Sequence, residues 1–426
     1  MTMRKVILCA LTLLMLFGLV ACSQSTITGL IQSTKKRVTS PDISGSDLAL
    51  QVEGNSRFAF DLYHQLRQGD DNLFYSPYSI SLALAMTYAG ARGETEKQMA
   101  DTLHFYLDQG RLHSVFNGLD IELNKRGEGA KGKDEEGFRL NIVNAIWGQE
   151  GYEFLSPFLD ALAENYGAGL RTLDYVGASE ESRITINDWV SDQTNAKIKD
   201  LIAQGIIDPA TVLVLTNAIY FNSAWRYPFS ENMTEDGPFY LLDGNMVTVP
   251  MMRKTESYGY AEGDDYQAVE LPYDGGELSM VIFFPQATRF EAFENALDGN
   301  RVADIIKRIE YQQVALTMPR FTYESKFMLK KALSDMGMPV AFTGGADFSG
   351  MNGERSLFID EVIHQAFVDV DEAGTEAAAA TAVIMKEMAA PAEPKQVTID
   401  RPFIFLIRDI KTGTILFVGR VMNPRA

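Results

Sequence analysis

Cysteine is nearly missing from this chain. Of 426 residues only Cys9 and Cys22 are cysteines, so everything after position 22 lacks an internal disulfide and must be stabilised by its core. Histidine is almost as scarce. His64, His104, His113 and His364 never fall in an H-E-x-x-H pattern, and without cysteine a structural zinc site has too few donors. There is no G-x-S-x-G elbow, no P-loop and no complete G-x-G-x-x-G, so no cofactor is indicated. A Ser-His-Asp triad built from distant positions is recognised by geometry alone, and the sequence leaves it open. Positive charge is short as well. With 38 Lys+Arg against 57 Asp+Glu, a formal net charge of −19 and no basic stripe, the chain is a poor candidate for a nucleic-acid surface.

One apolar run stands out, Val6 to Val20, with Arg4 and Lys5 before it and a small residue before Cys22. That is the plan of a cleavable secretory signal over residues 1–21, and the run is shorter than the roughly 20 residues of a membrane-spanning helix. Leu19-Val20-Ala21-Cys22 resembles the lipobox of bacterial lipoproteins, which implies that Cys22 is acylated after cleavage. Ser23 is compatible with sorting to an outer membrane. Cleavage removes two basic and no acidic residues, so the mature charge becomes −19 − 2 = −21. Anionic lipid repels such a domain, which makes the lipid the expected tether to a bacterial outer membrane or cell surface. Residues 22–47 are Ser/Thr-rich around Lys35-Lys36-Arg37 and Pro41 and read as a flexible stalk.

The remainder, 48–426, reads as one α+β domain. Ala59, Leu62, Tyr63 and Leu66 fall at helical spacing. Ser76 can cap a helix whose first residue is Pro77, where a missing N–H is harmless. Thr95 and Gln98 suggest a capping box. In the stretch Phe138 to Trp147 both parities are largely apolar, as they are from Val212 to Phe221, which is the mark of central strands. Helical patterns start at Ser156 and Ser182 and run over Arg289–Ile309 and Lys326–Met336, with a strand at Val314–Phe321. Asp274-Gly275-Gly276 fits a hairpin turn. No internal repeat and no linker divides this length.

Near the C-terminus the pattern breaks. Val362–Val370 reads as a strand and Pro402–Val421 as two strands around Lys411-Thr412-Gly413, yet about thirty residues between them carry no strand signal, and long connections of this kind are usually functional or disordered. They open with Asp371-Glu372-Ala373-Gly374-Thr375-Glu376-Ala377-Ala378-Ala379-Ala380-Thr381. Alanine favours helix, but Gly374, Thr375 and the β-branched Thr381, Val383 and Ile384 work against one.

This tract resembles the hinge of inhibitory serpins almost letter for letter. Asn72–Gly90, Asn217–Phe229, Glu270–Pro285, Ala346–Met351 and Arg401–Pro424 are similar to motifs of the same family, in family order over nearly the whole mature chain. The resemblance implies a single domain of three β-sheets with about nine helices and an exposed reactive-centre loop over about 372–400. It also implies a monomeric, non-enzymatic suicide-substrate inhibitor of serine proteases, whose cleaved loop enters the large sheet as a new strand. In that strand Thr375, Ala377, Ala379, Thr381 and Val383 would face inward, all small or β-branched, and Glu376 outward. No proline occurs from Glu372 to Ala390 to interrupt it.

By the same resemblance the region where the sheet opens maps onto Ser76, Ser79, Asn217 and His364, with Trp225 near the top. The family's hinge-to-cut spacing counted from Glu372 puts the reactive bond at Met388-Ala389, with Lys386, Glu387 and Ala390 left open. Met388 would suit an elastase-like or subtilisin-like protease and Lys386 a trypsin-like one; some members trap cysteine proteases. A non-inhibitory member with a binding or structural role would be favoured by bulky or charged residues at the inward-facing hinge positions, which this chain lacks.

Overall fold

The two segments with apolar residues on both parities become the centre of a sheet. The computed structural model describes residues 29–127, 139–375 and 393–425. Its helices are α1 (Gly45–Leu66), α2 (Pro77–Tyr88), α3 (Gly93–Leu103), α4 (Gln109–Leu123), α5 (Ser156–Tyr166), α6 (Ser179–Gln193), α7 (Phe290–Asn295), α8 (Gly299–Lys307), α9 (Lys330–Met336) and α10 (Ser349–Asn352). The first eight strands are β1 (Leu30–Ile31), β2 (Leu73–Tyr75), β3 (Arg139–Gln149), β4 (Leu170–Leu173), β5 (Leu213–Ala224), β6 (Glu235–Tyr240), β7 (Met246–Glu262) and β8 (Tyr266–Pro272). The others are β9 (Leu278–Pro285), β10 (Glu310–Pro319), β11 (Phe321–Met328), β12 (Glu361–Val370), β13 (Gly374–Thr375), β14 (Lys395–Thr398), β15 (Phe403–Asp409) and β16 (Ile415–Val421).

Seven strands form one sheet in the order β1-β4-β3-β5-β13-β12-β11. Nine form the other, β14-β10-β7-β8-β9-β15-β16-β2 with β6 on β7. Leu213, Leu215, Ile219 and Phe221 of β5 enter the main core, where Phe74 stacks on Phe417 at 4.9 Å. The opposite parity, Val214 and Ala218, packs under α6 with Trp147, Ile186, Val190 and Ile363. Helix α6 therefore covers both β5 and β12 along their lower halves. Ser76 caps α2 as expected, its Oγ accepting from Ser79 N at 3.1 Å.

The architecture corrects several expectations. Two sheets are present among the described residues where three were expected, because the 17-residue β7 pairs with β10 along Met251–Tyr260 and, on its other edge, with β6 at Met246–Met251 and β8 at Gly259–Glu262, joining what would be separate sheets. The described residues hold ten α-helices, in keeping with the expected number of about nine. The helix expected over 289–309 is two, since Asp298 caps α8 by accepting from Arg301 N at 2.7 Å. The strand expected to end at Phe321 stops at Pro319, and β11 begins on the other sheet; its alternating burial, with Phe321, Tyr323 and Ser325 inward, extends strand over the first residues of the expected 326–336 helix. Thr95 does not cap α3. Its Oγ1 accepts from Asp347 N, and Gln98 reaches Glu94 and Val340 N.

The largest correction concerns the stalk. From Gly29 onward it is docked on the domain, because its polar residues find partners far along the chain. Leu30–Ile31 adds an antiparallel edge strand to β4. Ser33 Oγ donates to Asp160, Lys35 lies 3.0 Å from Glu164, and Arg37 reaches Asn117 and Asp120 at 2.8 and 2.6 Å. Ile43 packs so closely on Gly118 that a Cβ there would lie 2.5 Å from it, and Ser44 caps α1. Residues 22–28 and the expected 1–21 signal, including Cys22, lie outside the described residues.

Candidate functional site

The site is the seam between β5 and β12. Along its lower part these strands pair directly and in parallel, from Glu361↔Val214 to Phe367↔Tyr220. Above that they part, and β13 fills the gap. Asp371 makes this possible by closing a tight turn: its carboxylate accepts from Ala373 N and Gly374 N, and its own N–H donates to Gly374 O at 3.0 Å. The chain leaving β12 thus folds back, and β13 pairs antiparallel with both neighbours, Thr375↔Val370 on one side and Thr375↔Ser223 and Gly374↔Ala224 on the other.

Only glycine fits at 374. A Cβ there would sit 2.2 Å from Ser223 O and 2.7 Å from Ala224 Cα, both backbone atoms that cannot swing aside. Thr375 is 1% exposed, so it occupies in the intact protein the inward position expected for it after insertion. Glu372 is buried beside it, accepting from Thr234 Oγ1 at 2.6 Å and lying 3.4 Å from the half-exposed Arg320, while its carbonyl accepts from Phe229 N. Trp225 sits at the top of β5 as expected. Its Nε1 donates to Asp371 O at 3.0 Å, its backbone N–H donates to Ala373 O at 2.8 Å, and its ring stacks on Tyr273 at 4.7 Å.

On one face of the paired part of the seam lies a buried polar network that brings Ser76, Ser79, Asn217 and His364 together. Ser76 N donates to His364 Nε2 at 3.1 Å, so Nε2 is an acceptor and Nδ1 carries the proton that goes to Asn217 Oδ1. Asn217 Nδ2 donates to Ser79 Oγ at 2.5 Å and to Asn144 Oδ1. Ser76 Oγ donates to Leu416 O at 2.6 Å, tying the network to the other sheet. Burial pushes the His364 pKa down to about 3, so the ring is neutral at ordinary pH. The ring spans the seam, because His364 and Asn217 are register partners on β12 and β5.

The other histidines serve elsewhere. His64 bonds Leu297 O, His104 bonds Asp61 and Tyr106, and His113 bonds Tyr166. None of the four meets a serine hydroxyl, so among the described residues the triad left open by the sequence is not assembled. Nor do three His, Cys, Asp or Glu side chains group as metal ligands among them.

A family model described as serpin (serine protease inhibitor) matches residues 53–424. The chain is a serpin. It is 41% identical over 377 residues to an uncharacterized serpin-like protein of Thermococcus kodakarensis, covering 88% of this chain and 86% of that one. To the human leukocyte elastase inhibitor it is 40% identical over 383 residues, 87% of this chain and 98% of that one. The crystal structure of the thermophilic serpin tengpin in its native state is similar with a TM-score of 0.82, 28% identity and coverage of 93% and 99%.

Within the serpin fold the expected loop is shorter than 372–400. Glu372–Thr375 is built into the seam, and Lys395–Thr398 is β14, paired in parallel with β10. The hinge residues Glu376, Ala377, Ala378, Ala379, Ala380 and Thr381 and the bond Met388-Ala389 lie outside the described residues. Asn144, Thr234, Tyr273 and Arg320 belong to the site but were not marked by sequence reasoning. Each comes from a segment remote from the hinge, and no spacing could have signalled it.

Proposed function

We propose that this serpin is a suicide-substrate inhibitor of serine proteases. The observation that carries the reading is β13: the first two residues of a small, proline-free segment already form a strand in the upper seam. The protease serine attacks the carbonyl of Met388, the bond to the Ala389 nitrogen breaks with that nitrogen leaving as a new amine, and Met388 stays esterified to the enzyme. The freed segment then continues the strand begun by Gly374–Thr375, dividing β5 from β12. About a dozen new backbone hydrogen bonds at roughly 1 kcal/mol net each supply on the order of 10 kcal/mol, enough to distort the trapped enzyme before it hydrolyses the ester. The intact form is held behind a kinetic barrier.

The target is a protease partner of elastase-like, subtilisin-like or trypsin-like specificity, with cysteine proteases as a further class; the protein itself turns over no substrate. Incubating residues 22–426 with one protease of each kind tests the reading. An SDS-resistant complex whose released peptide begins at Ala389 is expected. Cleavage by every protease with none retained would refute it.

We also propose that Cys22 carries lipid. Gly29 joins the sheet beside Thr172, at the end of β5 remote from the hinge, about ten strand residues or roughly 33 Å away. A six-residue link from Cys22 would then leave the hinge end of the domain facing away from the membrane. Metabolic labelling with palmitate that persists in Cys22→Ser would refute this attachment.

A further inference from the structure

Tyr273 carries a buried hydroxyl. This residue follows β8 in the nine-stranded sheet, yet its side chain crosses the core to the top of the other sheet. The ring is fully buried. It stacks on Trp225 at 4.7 Å with planes 9° apart and meets the edge of Phe221 at 5.1 Å. The backbone is held too, by Tyr273 N donating to Leu278 O and by the bridge to Trp225. The hydroxyl is thereby aimed at one point, and there it shares a hydrogen bond of 2.8 Å with Thr375 Oγ1. Burial pushes the phenol well above its ordinary range, so it never ionises in use.

A buried hydroxyl without a partner is costly, and removing one member of such a pair leaves the other unsatisfied. If β13 withdrew from the seam, Tyr273 Oη and Thr375 Oγ1 would both lose this bond, and the Tyr273 ring is pinned by Trp225 and could not follow. Tyr273 thus favours the state in which the hinge is already threaded. Threading matters because insertion races hydrolysis of the acyl-enzyme, and a strand that extends an existing pair avoids the slow first step of ordering.

We propose that Tyr273 is a positioning residue of the insertion step, its hydroxyl holding Thr375 in the seam of the intact protein so that the cleaved loop enters from a formed first pair. The proposal rests on the inhibitory reading given above. It predicts that loss of the bond raises the number of inhibitor molecules consumed per protease trapped, since more acyl-enzymes are hydrolysed before the loop inserts.

The test uses residues 22–426 as wild type, Tyr273→Phe, Thr375→Val, the double variant and Thr375→Ser, each titrated against a protease that the wild type traps. Amide hydrogen exchange at Gly374–Thr375 is measured in the unreacted proteins. Tyr273→Phe keeps the ring on Trp225, and Thr375→Val keeps the shape. Each single change is expected to speed exchange about fivefold, the effect of one net hydrogen bond, and to raise the stoichiometry of inhibition. The double variant should be no worse than either single one, and Thr375→Ser should match wild type. Additive effects, unchanged exchange, or faster trapping at unchanged stoichiometry would overturn the role of Tyr273 while leaving the inhibitory reading intact. A wild type that is cleaved but traps nothing would overturn both.

Discussion

The upper and lower parts of one seam behave as opposites. At the top, β5 and β12 are already separated by two residues with antiparallel partners on both sides. Below, the same two strands pair directly and in parallel, with α6 packed over one face and the Asn217–His364 network beneath the other. Parallel ladders are slightly weaker per residue than antiparallel ones, so exchanging one parallel ladder for two antiparallel ones is favourable once it starts. In the proposed insertion the barrier would lie in first breaking the side-chain ties across the lower part. On the proposed reading the upper part holds the seed of a strand and the lower part acts as the lock.

The comparison is broken most severely at Gly374. Gly374→Val puts side-chain atoms into the backbone of β5 and should expel β13, raising the stoichiometry of inhibition at least about tenfold as the inhibitor becomes a substrate. Thr375→Arg, which forces a charge into the sheet interior, should act in the same direction. Unchanged stoichiometry in either variant would refute the assigned register. The lock is tested by His364→Ala, which orphans Ser76 N and the Asn217 side chain. A loss of roughly 1–3 kcal/mol is expected, seen as a lower melting temperature and faster loss of inhibitory activity on warm storage, as the lower seam opens without a protease.

A smaller effect follows from acid. The folded His364 resists protonation down to about 3, whereas the unfolded ring titrates near 6.5. Between those values the unfolded chain binds a proton that the folded chain refuses, so stability falls as pH drops through this window. His113, held down to about 4 by burial, contributes with the same sign. The midpoint of urea unfolding should therefore be lower at pH 5 than at pH 7.5, and His364→Ala should flatten that dependence. An equal slope in the variant would show that His364 is not neutral in the lock.

How much of this was legible beforehand depended on how local the cause was. Central strands were readable because both parities of β3 and β5 are apolar, and the Ser76-Pro77 start of α2 because a cap acts over three residues. Of the hinge positions that the resemblance to the serpins marked as inward-facing, Thr375 is described and is buried in the upper seam. What escaped was long-range. The stalk looked flexible because its Ser, Lys and Arg residues have no local partners; Arg37 and Ser33 pair with Asp120 and Asp160, 83 and 127 positions away. Thr375 and Tyr273 are 102 apart. The merging of two sheets through β7 depends likewise on which strands lie beside it, which alternation of side chains does not encode.

Whether the seam accepts the cleaved loop is read by melting the protein before and after a non-target protease nicks the segment between Thr375 and Lys395. If the freed strand enters between β5 and β12, the gain of on the order of 10 kcal/mol should raise the melting temperature by about 12 °C. A cleaved protein that melts where the intact one does would contradict the account.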